Sequence, residues 1–245
     1  MQVSDDLYLG PAVAGGSGVS VGPSPMTVGV GPLGRVYVYD IAPAALAANN
    51  LATSQNPGSG GSFTITVGAG VTQVTLANGV LGYQLDVPRA IRVVAAGANT
   101  ATYTISGYDV YGQAMTQTIA APSTSTVTTT KAFKVVTSIT NANATAGLNN
   151  LTVGTTDVFG LPVAVSNVAY ILSVKWDATL ASNAGTFVAA DAATPSATTG
   201  DVRGTFLQTG NASDGTRRLV IAIAVPAIGS GPTATRAGAF GLTQF

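Results

Sequence analysis

The sequence predicts an all-β fold: antiparallel β-sandwich units, jelly-roll or immunoglobulin-like, with an extended N-terminal arm. Three observations predict it. Residues 101–120, ATYTISGYDVYGQAMTQTIA, alternate polar and apolar side chains on either side of a short glycine turn, which is the period of half-buried strands. Threonine and valine recur throughout, with 30 Gly and 12 Pro in 245 residues, a mixture that suits short strands linked by tight turns. All 10 acidic residues are Asp and none is Glu, and Glu favours helix where Asp does not.

The first 34 residues hold twelve Gly or Pro and show little periodicity. Such a segment cannot build a core of its own, so it is expected to be disordered or to lie as an arm over something else. Residues 35–41, RVYVYDI, alternate and read as the first strand. Residues 43–50 are Ala-rich behind Pro43 and are expected to form a short helix, with the proline in its first turn. NPGSGG (56–61) reads as a loop or linker and FTITV (63–67) as a strand. VTQVTLA and VLGYQLDV flank Asn78-Gly79, a strong hairpin signal. Pro88 is expected to break the run before AIRVVAA (90–96).

In the next hairpin Asp109 is expected to cap the turn and Gly112 to supply a positive φ. TSTVTTT and AFKVVTSIT continue the pattern to Thr140; NANATAGLNN (141–150) is a loop before a short LTVG strand. Beyond residues 159–162 a second block begins: a long strand over 168–178 with the single Trp, then GTFVAA (185–190) and a polar loop (191–200). DVRGTFLQ (201–208) and RRLVIAIAV (217–225) are expected to pair as a hairpin across TGNASDGT, the second of them buried on both faces and closed by Pro226. The division is therefore an arm (1–34), a strand and linker (35–61), a β-sandwich domain (62–160) and a second β unit (161–245) able to share a sheet with 35–41. TVGVG, TVGAG and TVGTT echo one another at unequal intervals, which is no repeat.

Charged residues make up 8% of the chain and the net charge is +0, against roughly 25% in typical soluble domains. No basic run longer than Arg217-Arg218 occurs, so the electrostatic footprint of a nucleic-acid binder is missing. Cys is absent, which removes disulfides and thiolate metal sites. MQVSDDLYLG has no basic segment followed by an apolar one, so no secretory signal is expected in it. The strongest apolar run, 218–229, is far short of a membrane span. A surface this poor in charge is expected to be covered largely by other subunits, because charge is scarce at interface cores; the alternative is a compact domain with a Thr, Ser and Asn surface.

The inventory of reactive groups is short. With no His and no Cys, the commonest base, metal ligands and thiol nucleophile are missing. Asp5-Asp6 lie in the terminal segment, and Asp191 and Asp201 flank a loop. Asp157 and Asp214 sit beside Thr, Ser or Gly, Asp109 lies between Gly107 and Gly112, and all three read as turn caps,. No phosphate loop or calcium loop is present. An enzyme is not expected, and no catalytic residue, cofactor site or metal site is assigned. Tyr37 and Tyr39 fall on one face of their strand, as do Tyr103 and Ile105; they read as sandwich core, with a ligand platform as the alternative. Trp176 reads as a strand residue at a core edge. Arg203, Arg217 and Arg218 are expected to meet Asp201 and Asp214 in a surface ion network worth little, or to make interface contacts.

Three stretches together resemble a β module of tailed-bacteriophage virion proteins: ATYTISGYDVYGQAMTQTI running on into KAFKVVTSIT, TDVFGLPVAVSNVAYILSVKW, and DVRGTFLQTGNASDGTRRLVIAIAVP. The likeness covers roughly residues 85–225, with DDLYLGP and GVGPLGRVYVYD nearer the start, and its motifs are turn and strand patterns. It implies a structural protein of the virion, assembled in the bacterial host. The reading is a capsid decoration or cement protein, expected as a homotrimer, that staples major capsid protein subunits to one another and to copies of itself, with no nucleic acid or membrane partner. The alternatives are a tail, neck or fibre component, and a carbohydrate-binding module using Tyr37, Tyr39, Tyr108 or Tyr111. Within the arm, Leu7, Tyr8, Leu9, Val19, Val21, Met26, Val28 and Val30 are the expected assembly contacts, since they are too apolar for a solvated tail and extended backbone can pair with strand edges on neighbours.

Overall fold

The computed structural model describes residues 6–7, 34–58, 60–95, 101–120, 126–142, 150–177, 179–181, 185–191 and 200–226. The fold is all-β and every strand pairing is antiparallel. The strands in chain order are β1 (Asp6–Leu7), β2 (Gly34–Ile41), β3 (Ala52–Gln55), β4 (Val71–Thr75), β5 (Leu81–Val94), β6 (Thr102–Tyr108) and β7 (Ala114–Ile119). They continue with β8 (Thr126–Ala142), β9 (Leu151–Gly160), β10 (Ile171–Trp176), β11 (Thr179–Ala181), β12 (Thr186–Val188), β13 (Thr205–Leu207) and β14 (Leu219–Pro226). A five-stranded sheet runs β1-β2-β14-β10-β11, and a nine-stranded sheet runs β12-β13-β9-β5-β8-β6-β7, with β3 on β9 and β4 on β5.

The large sheet curls because β8 is 17 residues long and serves two partners, β5 along its first half and β6 along its second. The far strand β7 then returns to the start of β8. Gln117 Oε1 accepts the amides of Thr130 and Lys131, each at 3.0 Å, and Lys131 Nζ donates to the Thr116 carbonyl at 3.2 Å. Side chains thus take the place of ladder bonds along an edge that would otherwise be open. Inside the curl lies one apolar core, with Leu85, Ile91, Tyr103, Ile105, Phe133 and Ile139 at its centre. A second core, containing Tyr39, Phe159, Trp176, Phe206, Leu219 and Ile221, fills the space under the five-stranded sheet.

Both hairpins develop as their turn residues require. Gly79 has φ 79° and Leu76 N donates to Val80 O at 2.9 Å. Gly112 has φ 79°, and Asp109 Oδ1 accepts the amides of Tyr111 (2.8 Å) and Gln113 (2.9 Å). Tyr103 and Ile105 are fully buried, as the alternation predicts.

Several sequence expectations are corrected. Residues 43–50 form no helix. Their backbone groups are claimed by distant partners instead. Ala44 N donates to Asp86 Oδ2 (2.6 Å), Leu46 N to Ser213 O (3.0 Å), and Ala47 O accepts from Thr155 N (3.1 Å). Tertiary hydrogen bonds outcompete a modest helix propensity. This strap lies so close on β9 that a Cβ on Gly154 would come within 2.2 Å of Ala47 O. Gly154→Ala is therefore expected to lower stability by about 2–3 kcal/mol, read as a reduced urea midpoint at unchanged m-value.

FTITV forms no strand either; its amides go singly to Ile139 O, Gln55 Oε1 and Leu51 O. Pro88 does not break β5. The strand runs through it with a register shift between Gln84 and Arg89, exchanging β4 for β9 as neighbour. Lys134 Nζ takes up the Leu85 and Asp86 carbonyls at that irregularity (2.6 and 2.8 Å), so the missing ladder bonds are replaced.

The segment 168–178 is a 3₁₀ turn over Val168–Tyr170 followed by the six-residue β10. LTVG extends into the ten-residue β9. The expected hairpin of 201–208 with 217–225 does not form: β13 joins the nine-stranded sheet and β14 the five-stranded one. Nor is β14 buried on both faces. Leu219, Ile221 and Ile223 are fully buried, while Val220, Ala222 and Ala224 are half-exposed on the outer side.

Candidate functional site

Two polar features stand out in this fold. The first is a buried belt between the two cores. Along one face of β9, Val153 belongs to the first core and Phe159 to the second, with Thr155 and Asp157 between them. Along β5, Ile91 and Val87 take those same two roles, with Arg89 between. Arg89 is fully buried. Its Nη1 donates to Thr155 Oγ1 (3.3 Å) and its Nη2 to Ala44 O (2.8 Å) and Ser213 Oγ (3.2 Å), with Asp86 Oδ2 at 3.6 Å and the Phe159 ring centroid at 5.4 Å. Burial pulls its guanidinium below the usual range, opposed by Asp86 and Asp157, because desolvation disfavours the charged form.

Asp157 accepts Ser213 N (2.9 Å) and Ser213 Oγ (2.6 Å). It lies within β9 and not in a turn, which corrects the capping expectation: its carboxylate fastens the 208–213 loop to the large sheet. Trp176 anchors the same loop from the other sheet, with Nε1 donating to Asn211 O at 3.1 Å. Burial drives the Tyr39 phenol up, and its hydroxyl has no hydrogen-bond partner among the described residues.

The sequence places Arg203 in a surface network; the structure buries it. Arg203 Nη1 meets Asp109 Oδ2 at 2.6 Å, with both side chains 2% exposed, and its guanidinium lies 4.6 Å from the centroid of the Tyr111 ring. Tyr111 Oη reaches Pro162 O at 2.7 Å. Asp109 is therefore both a turn cap and an ion-pair partner. Asp201 accepts Ala132 N (3.0 Å) and Arg203 N (2.9 Å), so it holds the chain beside Arg203 through backbone amides.

Arg217 and Arg218 do lie at the surface. Arg217 pairs with Asp214 (2.8 Å) and Asp177 (3.4 Å), and Arg218 forms a forked pair with Asp40. Asp214 caps its turn by accepting the amides of Arg217 and Thr216, which lowers its carboxyl to about 2. A carboxylate held below its unfolded value stabilises the fold above that value and loses the effect as pH falls through the folded one. The urea midpoint is therefore expected to drop between pH 4 and pH 2, in part through Asp214; Asp214→Asn should flatten that part of the profile.

The second feature is an open groove of about 470 Å³ between the β4–β5 and β6–β7 hairpins. Leu76, Tyr108, Val110 and Val135 give it apolar walls, and Asn78, Gln84 and Lys134 give it polar ones. Asn78 Nδ2 donates to Tyr108 Oη across it at 3.3 Å. A smaller recess of about 230 Å³, lined by Thr72 and Asp86, shares Gln84 and Lys134 with it.

Of the four tyrosines considered as a platform, Tyr39 and Tyr37 pack in the second core, Tyr111 is held by Arg203 and Pro162, and Tyr108 faces the groove. Trp176 is 6% exposed and belongs to the second core. Of the arm residues, the backbone of Leu7 is in β1, whereas Tyr8, Leu9, Val19, Val21, Met26, Val28 and Val30 lie outside the described residues. Sequence reasoning missed the belt and the groove. The two hairpin turns were legible, but their approach across 30 residues of chain was not. Among the described residues no group of acidic side chains could hold a metal ion, and no helix is long and apolar enough to cross a membrane. Comparison with protein-family models, with curated proteins and with solved structures found no match.

Proposed function

We propose that the chain is a non-enzymatic structural protein of a tailed-bacteriophage virion, a capsid decoration or cement protein that joins neighbouring capsid subunits. One observation supports a structural role: the fold spends many of its few ionisable groups on itself. Arg89, Lys131, Arg203, Asp109, Asp157 and Asp201 are all buried, in a chain with only 10 basic and 10 acidic residues. Such groups are almost never fully buried without partners, and here they tie hairpins, loops and sheets together. Among the described residues the exposed charges are few, Asp40, Lys175, Asp177, Asp214 and Arg218, and the rest of the exposed surface is largely Thr, Ser, Asn, Gly and apolar residues. Val168, Leu172 and Val188 are at least half exposed on it, and such a surface suits burial against other subunits better than free solution. The phage assignment itself comes from the resemblance of the strand and turn patterns.

Quantitative mass spectrometry of purified virions tests the reading. Copy numbers close to that of the major capsid protein, with density on the head by cryo-electron microscopy, are the expected result. A handful of copies at one vertex or on the tail replaces the reading with a neck or tail component, and absence from virions overturns it.

A further inference from the structure

We propose that the groove between the β4–β5 and β6–β7 hairpins binds one sugar residue of a neutral saccharide, whatever the location of the protein. Its walls are fixed before any ligand arrives. Asn78 Oδ1 holds Val80 N at 3.1 Å within one turn, and Asp109 holds the other turn while paired to Arg203. The 3.3 Å bond from Asn78 to Tyr108 Oη links the two hairpins. A site organised in advance loses little entropy on binding.

The lining matches the two-sided chemistry of a pyranose. The half-buried Tyr108 ring, with Leu76, Val110 and Val135, offers an apolar surface to the C–H face of a sugar,. The hydroxyl rim needs groups that donate and accept in fixed directions. The Gln84 side-chain amide provides both and has no hydrogen-bond partner among the described residues,. Lys134 gives two of its three N–H groups to Leu85 O and Asp86 O and keeps one,. The volume of about 470 Å³ falls in the ordinary range for small-molecule sites,. Among the described residues Lys134 is the one cation lining the groove, burial weakens its charged form, and the Asp109 carboxylate that also lines it is paired to Arg203. A phosphate or nucleotide asks for more positive charge than that, so the ligand is uncharged.

The test uses the full chain, labelled with ¹⁵N, and three probes: methyl α-glucopyranoside, methyl β-galactopyranoside and N-acetylglucosamine. At least one is expected to shift amides confined to 76–84, 108–112 and 134–135, with saturation transfer to its ring C–H protons. Gln84→Leu should weaken that probe about tenfold, and Tyr108→Phe, which keeps the ring, by no more than about threefold. Silence from all three probes, shifts scattered elsewhere, or an unchanged affinity in Gln84→Leu overturns the proposal. So do shifts at the same amides that grow with protein concentration in the absence of sugar, since these mean that a second copy fills the groove.

Discussion

Replacing Arg203 by Met is expected to destabilise the fold by about 3–5 kcal/mol, the usual cost of removing one partner from a buried ion pair. Asp109 would keep its capping bonds to Tyr111 and Gln113 through Oδ1, but its Oδ2 would face a desolvated space with no cation. The Arg203 guanidinium also lies over Tyr111, so some packing goes with it. The pair itself contributes much less than its loss costs. Among the described residues Arg203 Nε and Nη2 have no hydrogen-bond partner, so part of its desolvation is uncompensated. The double variant Arg203→Met/Asp109→Asn, which keeps a capping carbonyl and removes the stranded charge, should therefore recover about half of the loss. Urea unfolding of the wild type, both single variants and the double variant closes the cycle. A double variant as unstable as the sum of the singles would mean that the two side chains act independently.

Arg89→Met is expected to cost a similar amount, about 3–5 kcal/mol, but to fail in a different place. Arg89 joins β5, the 43–50 strap through Ala44, β9 through Thr155, and the 208–213 loop through Ser213. Met fills much of the volume and donates nothing. It would leave Ala44 O without its guanidinium partner and Asp86, whose Oδ1 has no hydrogen-bond partner among the described residues, with Lys134 as its remaining neighbouring cation. Hydrogen exchange should locate the damage. The amides of Leu46 and Thr155, which bond across the belt, should lose protection first, while those of β6 and β7 keep theirs. Asp86→Asn should be milder, because that contact is 3.6 Å long and Asp86 is 20% exposed. A loss under about 1 kcal/mol in Arg89→Met, with even protection throughout, would show that apolar contact alone joins the two cores.

The sequence by itself determined the class of fold and most of its strands. Alternation placed β2, β4, β6 and β7, and the Asn78-Gly79 and Asp109–Gly112 turns fixed two hairpins. These signals are local: a period of two and a positive φ are set by residues a few positions apart. The absence of His and Cys likewise leaves the chain without imidazole or thiol groups.

What only the tertiary structure decided is where the charges go and which strand meets which. Arg203 sits in sequence beside Asp201 and not far from Asp214, so proximity along the chain suggested a surface network. Its partner is Asp109, 94 positions away. Residues 43–50 look helical by composition, and β9 and the 213 region take their backbone bonds. Pro88 reads as a strand break, and the Lys134 ammonium repairs the ladder there. RRLVIAIAV reads as one arm of a hairpin, yet Asp157 and Trp176 hold the intervening loop so that the chain changes sheets. In each case a long-range hydrogen bond or ion pair, made possible by burial, outweighs a local preference of a few tenths to one kcal/mol, and such a partner cannot be identified from sequence spacing.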